Sequence, residues 1–190
     1  MPATATDIRS QWRDRTVDRA RDVTVPLPPR LLAAIAIDHA RYASSALLAA
    51  VDDLLPGERT FERVVQRATH DIWHITWGAG SRTEMHDHGG STGALYVVEG
   101  TLVEHRPHPA RTGRTQREVL HERSYHAMPA AHVHVVANES HRRATSIHVY
   151  SPPLTTMQHY ETADRSGLHV VRREVIDPAT LGPDGRPAHR

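Results

Sequence analysis

Two pairs of histidines stand out among the 16 histidines of this 190-residue chain: His86 with His88, and His132 with His134. Residues two apart on a β-strand project from the same face, so each pair can turn two imidazoles towards one ligand. If the two strands face each other, three or four imidazoles meet around a common point. Cysteine is absent, so a metal held there takes nitrogen or oxygen ligands rather than thiolates. The spacing therefore predicts a histidine metal site.

A further set of polar residues alternates along one predicted strand. Ser146, His148 and Tyr150 are two positions apart, so all three side chains face the same way. A hydrogen-bonded chain from hydroxyl to imidazole to phenol is then geometrically available.

Both histidine segments resemble the sequence motifs of the cupin superfamily. The first motif is matched by Gly80, His86, His88 and Gly100, and the second by Pro129, His134 and Asn138. Cupins usually place a glutamate ligand at the position of Gly93, and its absence here leaves three histidines. That pattern resembles the cysteine dioxygenase branch of the cupins. The likeness extends through residues 77–78 before the first motif and 146–153 after the second, and covers about residues 60–160.

The resemblance implies a non-haem iron enzyme. One Fe(II) per chain would be held by His86, His88 and His134, and L-cysteine would react with O2 to give cysteine sulfinic acid. Three neutral imidazoles with open positions suit Fe(II), although the residues alone also permit Zn, Ni or Cu. Without a carboxylate ligand the charge of the dication is uncompensated, which favours an anionic ligand such as a thiolate.

The resemblance also implies roles for residues around the metal. Tyr150, with His148 and Ser146, is expected to act in catalysis by hydrogen bonding near the reacting oxygen. In this family an arginine in an aromatic-x-Arg pattern binds the substrate carboxylate, and the best match is the Phe-Glu-Arg segment that ends at Arg63. Some animal members cross-link a cysteine to the tyrosine that Tyr150 matches. This chain has Gly93 at the position of that cysteine, so the cross-link cannot form.

Several alternatives stay open at the level of sequence. His132 is a rival to His134 because it lies two residues away on the same face, and Glu84 could supply a carboxylate ligand next to His86. The substrate could also be 3-mercaptopropionate or another thiol acid, for which relatives carry glutamine where Arg63 stands. A different class of function is a metal-binding cupin isomerase or hydrolase, or a binding module without catalysis.

The elements that position these residues are predicted to be one short helical region followed by many strands. Apolar residues recur at helical spacing over residues 26–57, with a break near Ser44 and Ser45 that suggests two helices. Nine runs read as strands, at residues 61–67, 72–77, 83–86, 94–105, 115–120, 125–128, 132–137, 145–150 and 168–175. With the resemblance, they predict an all-β cupin domain, a jelly-roll-like β-barrel with an N-terminal helical segment. The domain would span residues 26–176, between a flexible segment at 1–25 and a loose tail at 177–190.

Composition excludes some partners. A net charge of +1 gives no electrostatic basis for binding nucleic acid, and no stretch approaches the roughly 18 apolar residues of a membrane helix. The charged residues near the N-terminus do not match a signal peptide. We therefore expect a cytoplasmic protein whose partners are a small thiol and O2, with an oligomeric state that the sequence does not define.

Overall fold

The computed structural model describes residues 25–43, 54–108, 113–163 and 167–176. These ranges contain the helix α1 (Pro29–Tyr42) and ten strands. The strands are β1 (Arg59–Gln66), β2 (Asp71–Trp77), β3 (Thr92–Glu99), β4 (Leu102–Pro107), β5 (Thr115–Leu120), β6 (Tyr125–Met128), β7 (Val135–Ala137), β8 (Ala144–Ser151), β9 (Thr156–Ala163) and β10 (Gly167–Val175).

Helix α1 begins where the sequence places two prolines. Pro28 is the N-cap and Pro29 the first helical residue, a position that needs no backbone donor. The helix buries one face, formed by Leu32, Ala33 and Ala36, against the outer side of the main sheet. The second predicted helix lies largely outside the described residues, which resume at residue 54 with a turn. The helix in the described ranges is α1, and its 14 residues are too few to cross a membrane.

The strands form three antiparallel sheets. The largest has the order β1-β2-β8-β3-β6, the second the order β5-β4-β7, and the third pairs β10 with β9. Strands distant in sequence are neighbours in each of the two larger sheets, as in a jelly roll. The all-β prediction is confirmed. Within the described residues the sheets do not close into one hydrogen-bonded barrel, so jelly-roll-like describes the fold better than barrel.

The predicted strands differ from the observed ones at four main places. The run at 94–105 is two strands, because Gly100 turns the chain with a φ of 80°. The segment at 83–86 forms isolated bridges instead of a strand, and β7 starts only at Val135. Strand β9 was not predicted.

Strand β8 separates two packed layers. Its Ile147 and Val149 pack with α1, whereas His148 and Tyr150 face the interior between the sheets. All eight residues of β8 are therefore buried, although the strand carries several polar side chains. The interior layer is dominated by large side chains such as Trp77, and the candidate functional residues lie among them.

Candidate metal centre and active site

Three buried histidines converge between the sheets. His86, His88 and His134 are 4%, 1% and 1% exposed, and one ring nitrogen from each lies within 4.8 Å of the others. The backbones of His86 and His134 pair directly, with N–H to O=C distances of 2.9 and 3.0 Å. This bridge joins the two sequence segments and explains how the imidazoles meet although neither segment is a full strand at its histidines.

The hydrogen bonds of these rings leave the correct nitrogens free for a metal. His86 Nδ1 donates to the carbonyl of Glu84 at 2.8 Å, and His134 Nδ1 contacts the Glu104 carboxylate at 2.7 Å. In both rings Nε2 is the remaining ligand atom. Neither ring nitrogen of His88 has a hydrogen-bond partner, a costly state for a buried polar group that a bound metal would relieve. The donor set therefore fits a metal ion.

Burial also keeps these rings in the form that a metal requires. Desolvation lowers the pKa of His86 and of His88 well below the usual value, with the neighbouring His134 adding to the effect. The pKa of His134 is lowered for the same first reason. Neutral imidazoles keep the lone pair that binds a cation, so protons compete weakly for these nitrogens near neutral pH.

The loop between the two ligands of the first motif is held by Asp87. Its Oδ1 accepts the backbone N–H of Gly89 at 3.0 Å and that of Gln158 at 2.9 Å, and its Oδ2 accepts the hydroxyl of Tyr160 at 2.7 Å. Gln158 and Tyr160 belong to β9. The strand missing from the sequence prediction is thus the element that fixes this loop.

The two alternative ligands lie elsewhere. His132 Nε2 is 2.7 Å from the carboxylate of Glu104, on the side of His134 that faces away from the three-histidine group. The side chain of Glu84 is 66% exposed and pairs with His159 and Arg172. In the described part of the chain, neither joins the group formed by His86, His88 and His134.

The predicted relay is continuous and buried. Trp77 Nε1 donates to Ser146 Oγ at 2.9 Å, and Ser146 Oγ lies 3.0 Å from His148 Nε2. His148 Nδ1 lies 3.0 Å from the Tyr150 hydroxyl. Burial lowers the pKa of His148 to about 3, so its ring is neutral, and burial raises the pKa of Tyr150 far above its usual value.

The contacts fit one direction for the relay. Ser146 Oγ accepts a hydrogen bond from Trp77 Nε1 and can donate its own proton to His148 Nε2. In that tautomer the neutral His148 carries its proton on Nδ1 and donates it to the oxygen of Tyr150. The Tyr150 proton then points away from His148, beside the ring of His88, whose centroid lies 4.8 Å from that of Tyr150. Because its pKa is raised, Tyr150 keeps its proton and can act as a hydrogen-bond donor.

A cavity of about 260 Å³ opens beside the metal centre. This volume lies just below the roughly 300–1,000 Å³ of pockets for drug-sized ligands, so the cavity suits a smaller molecule. Its inner end has the polar groups His86, His134, His148 and Tyr150. Its walls are mainly apolar, with Phe61, Trp73, Ile75, Trp77, Leu154 and Met157. At the β9–β10 side its polar lining residues include Arg59, Glu84, His159, Arg172 and Glu174.

Arg63 does not line this cavity. Its guanidinium carbon lies 5.2 Å from the centre of the ring of Trp73, which does line the cavity. Arg59 and Arg172 do line the cavity, but Arg172 is paired with Glu84 and Glu174. Arg59 donates to the carbonyl of Arg82 at 3.0 Å. It forms no salt bridge within 4.0 Å in the described ranges, although the charges of Glu84 and Glu174 act on its guanidinium.

Comparison with known proteins settles the family. The family model for cysteine dioxygenase type I matches residues 10–163. The chain belongs to the cysteine dioxygenase type I family. Membership confirms the resemblance drawn from the motifs, and with the three-histidine group it supports a metal-binding, thiol dioxygenase type of function.

Three of the solved structures that the chain resembles each cover about half of it. A protein from Thermus thermophilus is 24% identical, with 56% of this chain and 94% of that chain covered and a TM-score of 0.46. A cupin superfamily protein from Desulfitobacterium hafniense is 13% identical, with 55% and 86% covered and a TM-score of 0.43. A cupin domain from Bordetella pertussis is 13% identical, with 52% and 97% covered and a TM-score of 0.43.

Gly93 explains why this cysteine dioxygenase family member has no carboxylate ligand from the first motif. Gly93 lies directly across from Tyr150 in the register of β3 and β8. A Cβ atom at Gly93 would stand 2.8 Å from Met128 Cε and 3.0 Å from Tyr150 Cδ1. A side chain there would require the end of Met128 to move and the ring of Tyr150 to shift by a few tenths of an ångström, so Gly93 allows the close packing of Tyr150.

The sequence analysis missed two groups of residues that border this site. One is Glu104, a carboxylate that is 1% exposed on β4. Burial raises the pKa of Glu104, but hydrogen bonds from His132 and His134 outweigh burial and hold the pKa well below the usual range. The other is the charged set on the β9–β10 hairpin. The position of Glu104 directly after the apolar pair 102–103 could have indicated a buried carboxylate. No comparable local pattern predicted that the β9–β10 hairpin borders the site.

Proposed function

We propose that this member of the cysteine dioxygenase family oxidises L-cysteine with O2 to cysteine sulfinic acid, using one Fe(II) per chain. The observation that carries the proposal is the convergence of three buried, neutral imidazoles within 4.8 Å of one another, next to a protonated tyrosine at the inner end of a small cavity. The ligands would be His86, His88 and His134. The reaction balances without a further reductant, because the thiol and one O2 together contain every atom of the sulfinic acid.

The metal and the protein have separate tasks. When bound, Fe(II) supplies the redox chemistry that allows dioxygen to react with a thiolate. The three imidazoles bring no negative charge, so the site attracts an anionic sulfur. The apolar walls exclude water from the cavity, which strengthens the interactions of charged and polar groups inside it.

Tyr150 is proposed to be the catalytic hydrogen-bond donor. Its hydroxyl accepts from His148, so its own proton is directed into the cavity, where oxygen atoms gain negative charge during the oxidation. His148 and Ser146 orient this hydroxyl through the chain that starts at Trp77. Because the pKa of Tyr150 is raised, the donor keeps its proton at any pH at which the enzyme works.

The substrate carboxylate requires a cation. Arg63 is the residue that the family pattern assigns, and it stays our proposal for cysteine. The structure offers Arg59 as a competitor, because it lines the cavity and has no ion-pair partner in the described ranges. The second candidate function is oxidation of 3-mercaptopropionate or another thiol acid. It is favoured by the position of Arg63, the cation typical of cysteine recognition, which is not among the residues that line the cavity.

The test is an oxygen-electrode assay on protein reconstituted with Fe(II) under anaerobic conditions. Cysteine, 3-mercaptopropionate and cysteamine are compared, and products formed under ¹⁸O2 are identified by mass spectrometry. We expect O2 uptake in step with cysteine loss and two labelled oxygens on sulfur. Faster oxidation of 3-mercaptopropionate would move the assignment to that thiol acid. No thiol-dependent O2 uptake would overturn the function and favour a cupin isomerase, hydrolase or binding module.

A further inference from the structure

Glu104 is a buried carboxylate with four nitrogen atoms close to its two oxygens. It lies on β4 and is 1% exposed. Its Oε1 is 2.7 Å from His132 Nε2 and 2.7 Å from His134 Nδ1. Its Oε2 is 3.1 Å from His126 Nε2 and 3.2 Å from Arg106 Nε. Each oxygen therefore has two nitrogen neighbours.

These contacts have a direct consequence for His134. A carboxylate accepts hydrogen bonds and does not donate them, so the proton of the His134 ring must lie on Nδ1. The lone pair is then on Nε2, which faces His86 and His88. A histidine ligand whose other nitrogen donates to a carboxylate is also a stronger donor to the metal, and its ring is held in one orientation.

The contacts also account for His132. It lies on the same face as His134, as the sequence predicted, but its ring is turned to Glu104 and shares Oε1 with His134. The centroids of the two rings are 4.7 Å apart and the rings are nearly perpendicular. His132 thus holds the carboxylate in place instead of competing for the metal.

The contacts argue against a second metal ion at Glu104 itself. Glu104, His132 and His134 are close enough to bind a cation. However, Oε1 already accepts from two rings at hydrogen-bond distance, and the guanidinium of Arg106 contacts Oε2 and would repel an added cation. An anion surrounded by nitrogen donors is the arrangement that these distances describe.

We propose that Glu104 is a positioning residue of the metal centre, which fixes the tautomer and orientation of His134 and places one negative charge behind that ligand. This inference rests on the metal centre of the proposed function. Gly93 supplies no carboxylate from the first motif. Glu104 supplies a negative charge on the far side of the His134 ring, next to Nδ1. From there it strengthens metal binding without occupying a coordination position that substrate or O2 needs.

The test compares Glu104→Gln with Glu118→Gln. Glu118 is the matched control, because it lies directly across from Glu104 in the register of β4 and β5, pairs with Arg106 at 2.9 Å and is exposed. Affinity for Fe(II) and for Co(II) is measured by chelator competition on folded apoprotein, without any thiol. We expect Glu104→Gln to weaken binding by about 10- to 100-fold. Glu118→Gln should stay within about 2-fold of the parent, and Glu104→Asp, which keeps the charge, should lie between the two glutamine variants.

A second measurement covers the case in which Glu104→Gln does not fold. ¹⁵N spectra of the parent protein loaded with Zn(II) report which nitrogen of each histidine binds the metal. We expect Nε2 of His134 on the metal and a proton on its Nδ1. Metal on Nδ1 of His134, or parent-like affinity in a folded Glu104→Gln variant, would overturn the inference.

The outcomes separate this inference from the proposed function. A parent protein that binds none of these metals refutes both. A parent that binds metal but oxidises no thiol refutes the function, while the affinities still decide the role of Glu104. A parent that oxidises cysteine together with a Glu104→Gln variant of unchanged affinity refutes the role of Glu104 alone.

Discussion

Replacing Tyr150 with phenylalanine removes one oxygen atom from the inner end of the cavity and leaves the rest of the relay intact. In the direction proposed for the relay, the Tyr150 oxygen accepts from His148 Nδ1, which lies 3.0 Å away, and turns its own proton into the cavity. The variant therefore loses a donor to the substrate and an acceptor for His148. The first loss affects turnover and the second affects stability, so the two can be measured separately.

The size of both effects follows from burial. His148 and Tyr150 are 3% and 5% exposed, so water cannot replace the lost partner of His148. An unsatisfied buried donor costs about 1–3 kcal/mol, which should appear as a lower free energy of unfolding. Loss of one hydrogen bond to the reacting oxygen should lower turnover by about 10- to 100-fold, equivalent to roughly 1.4–2.8 kcal/mol. Iron content should not change, because Tyr150 is not among the proposed ligands.

The assay is O2 uptake at saturating cysteine, normalised to bound iron, with urea unfolding measured in parallel. Tyr96→Phe is the control, because Tyr96 packs against the cluster beneath α1, on the opposite side of the sheet. Ser146→Ala tests the direction of the relay and should lower turnover less than Tyr150→Phe, since it keeps the tyrosine hydroxyl. It frees the tautomer of His148 and leaves Trp77 Nε1 without its acceptor. If Tyr150→Phe keeps the turnover and iron content of the parent, the tyrosine is a packing residue and the assigned direction of the relay is wrong.

Three further predictions use the same preparations. His134→Ala should abolish metal binding and His132→Ala should retain bound metal, as measured by metal analysis; the reverse pattern would exchange the two assignments. Arg63→Ala should lower kcat/KM for cysteine by about 10- to 100-fold, because Arg63 is half-buried, and should lower kcat/KM for cysteamine, which has no carboxylate, much less. If Arg59→Ala instead lowers kcat/KM for cysteine more than for cysteamine, the carboxylate site is at Arg59. Burial lowers the pKa of His74 to about 4. Below about pH 6.5 the unfolded chain therefore binds a proton at this histidine that the folded chain does not bind. The free energy of unfolding should fall by up to about 3 kcal/mol as the pH drops from 6.5 to 4. Urea unfolding across that range should show a weaker pH dependence in His74→Gln, and an equal dependence in both proteins would contradict the assignment.

Local sequence was enough to find the residues that the structure brings together at the metal centre. His86 and His88 are two positions apart, and Ser146, His148 and Tyr150 alternate on a strand whose inner face is polar. Such spacing is a property of the backbone repeat, so it can be read without knowing what the strand packs against. The proline pair at the start of α1 and the short strands of an all-β fold are local signals of the same kind.

The tertiary structure alone decided which groups surround that centre. Glu104 meets His134 across 30 positions of sequence, because β4 pairs with β7, and the Arg63 guanidinium lies against Trp73, because β1 pairs with β2. The hairpin of β9 and β10 brings His159 and Arg172 to the cavity, although no periodic pattern singled out β9. Contacts of this type depend on strand order and register between distant segments. A pattern of one strand shows which face it buries, but not which strand will cover that face.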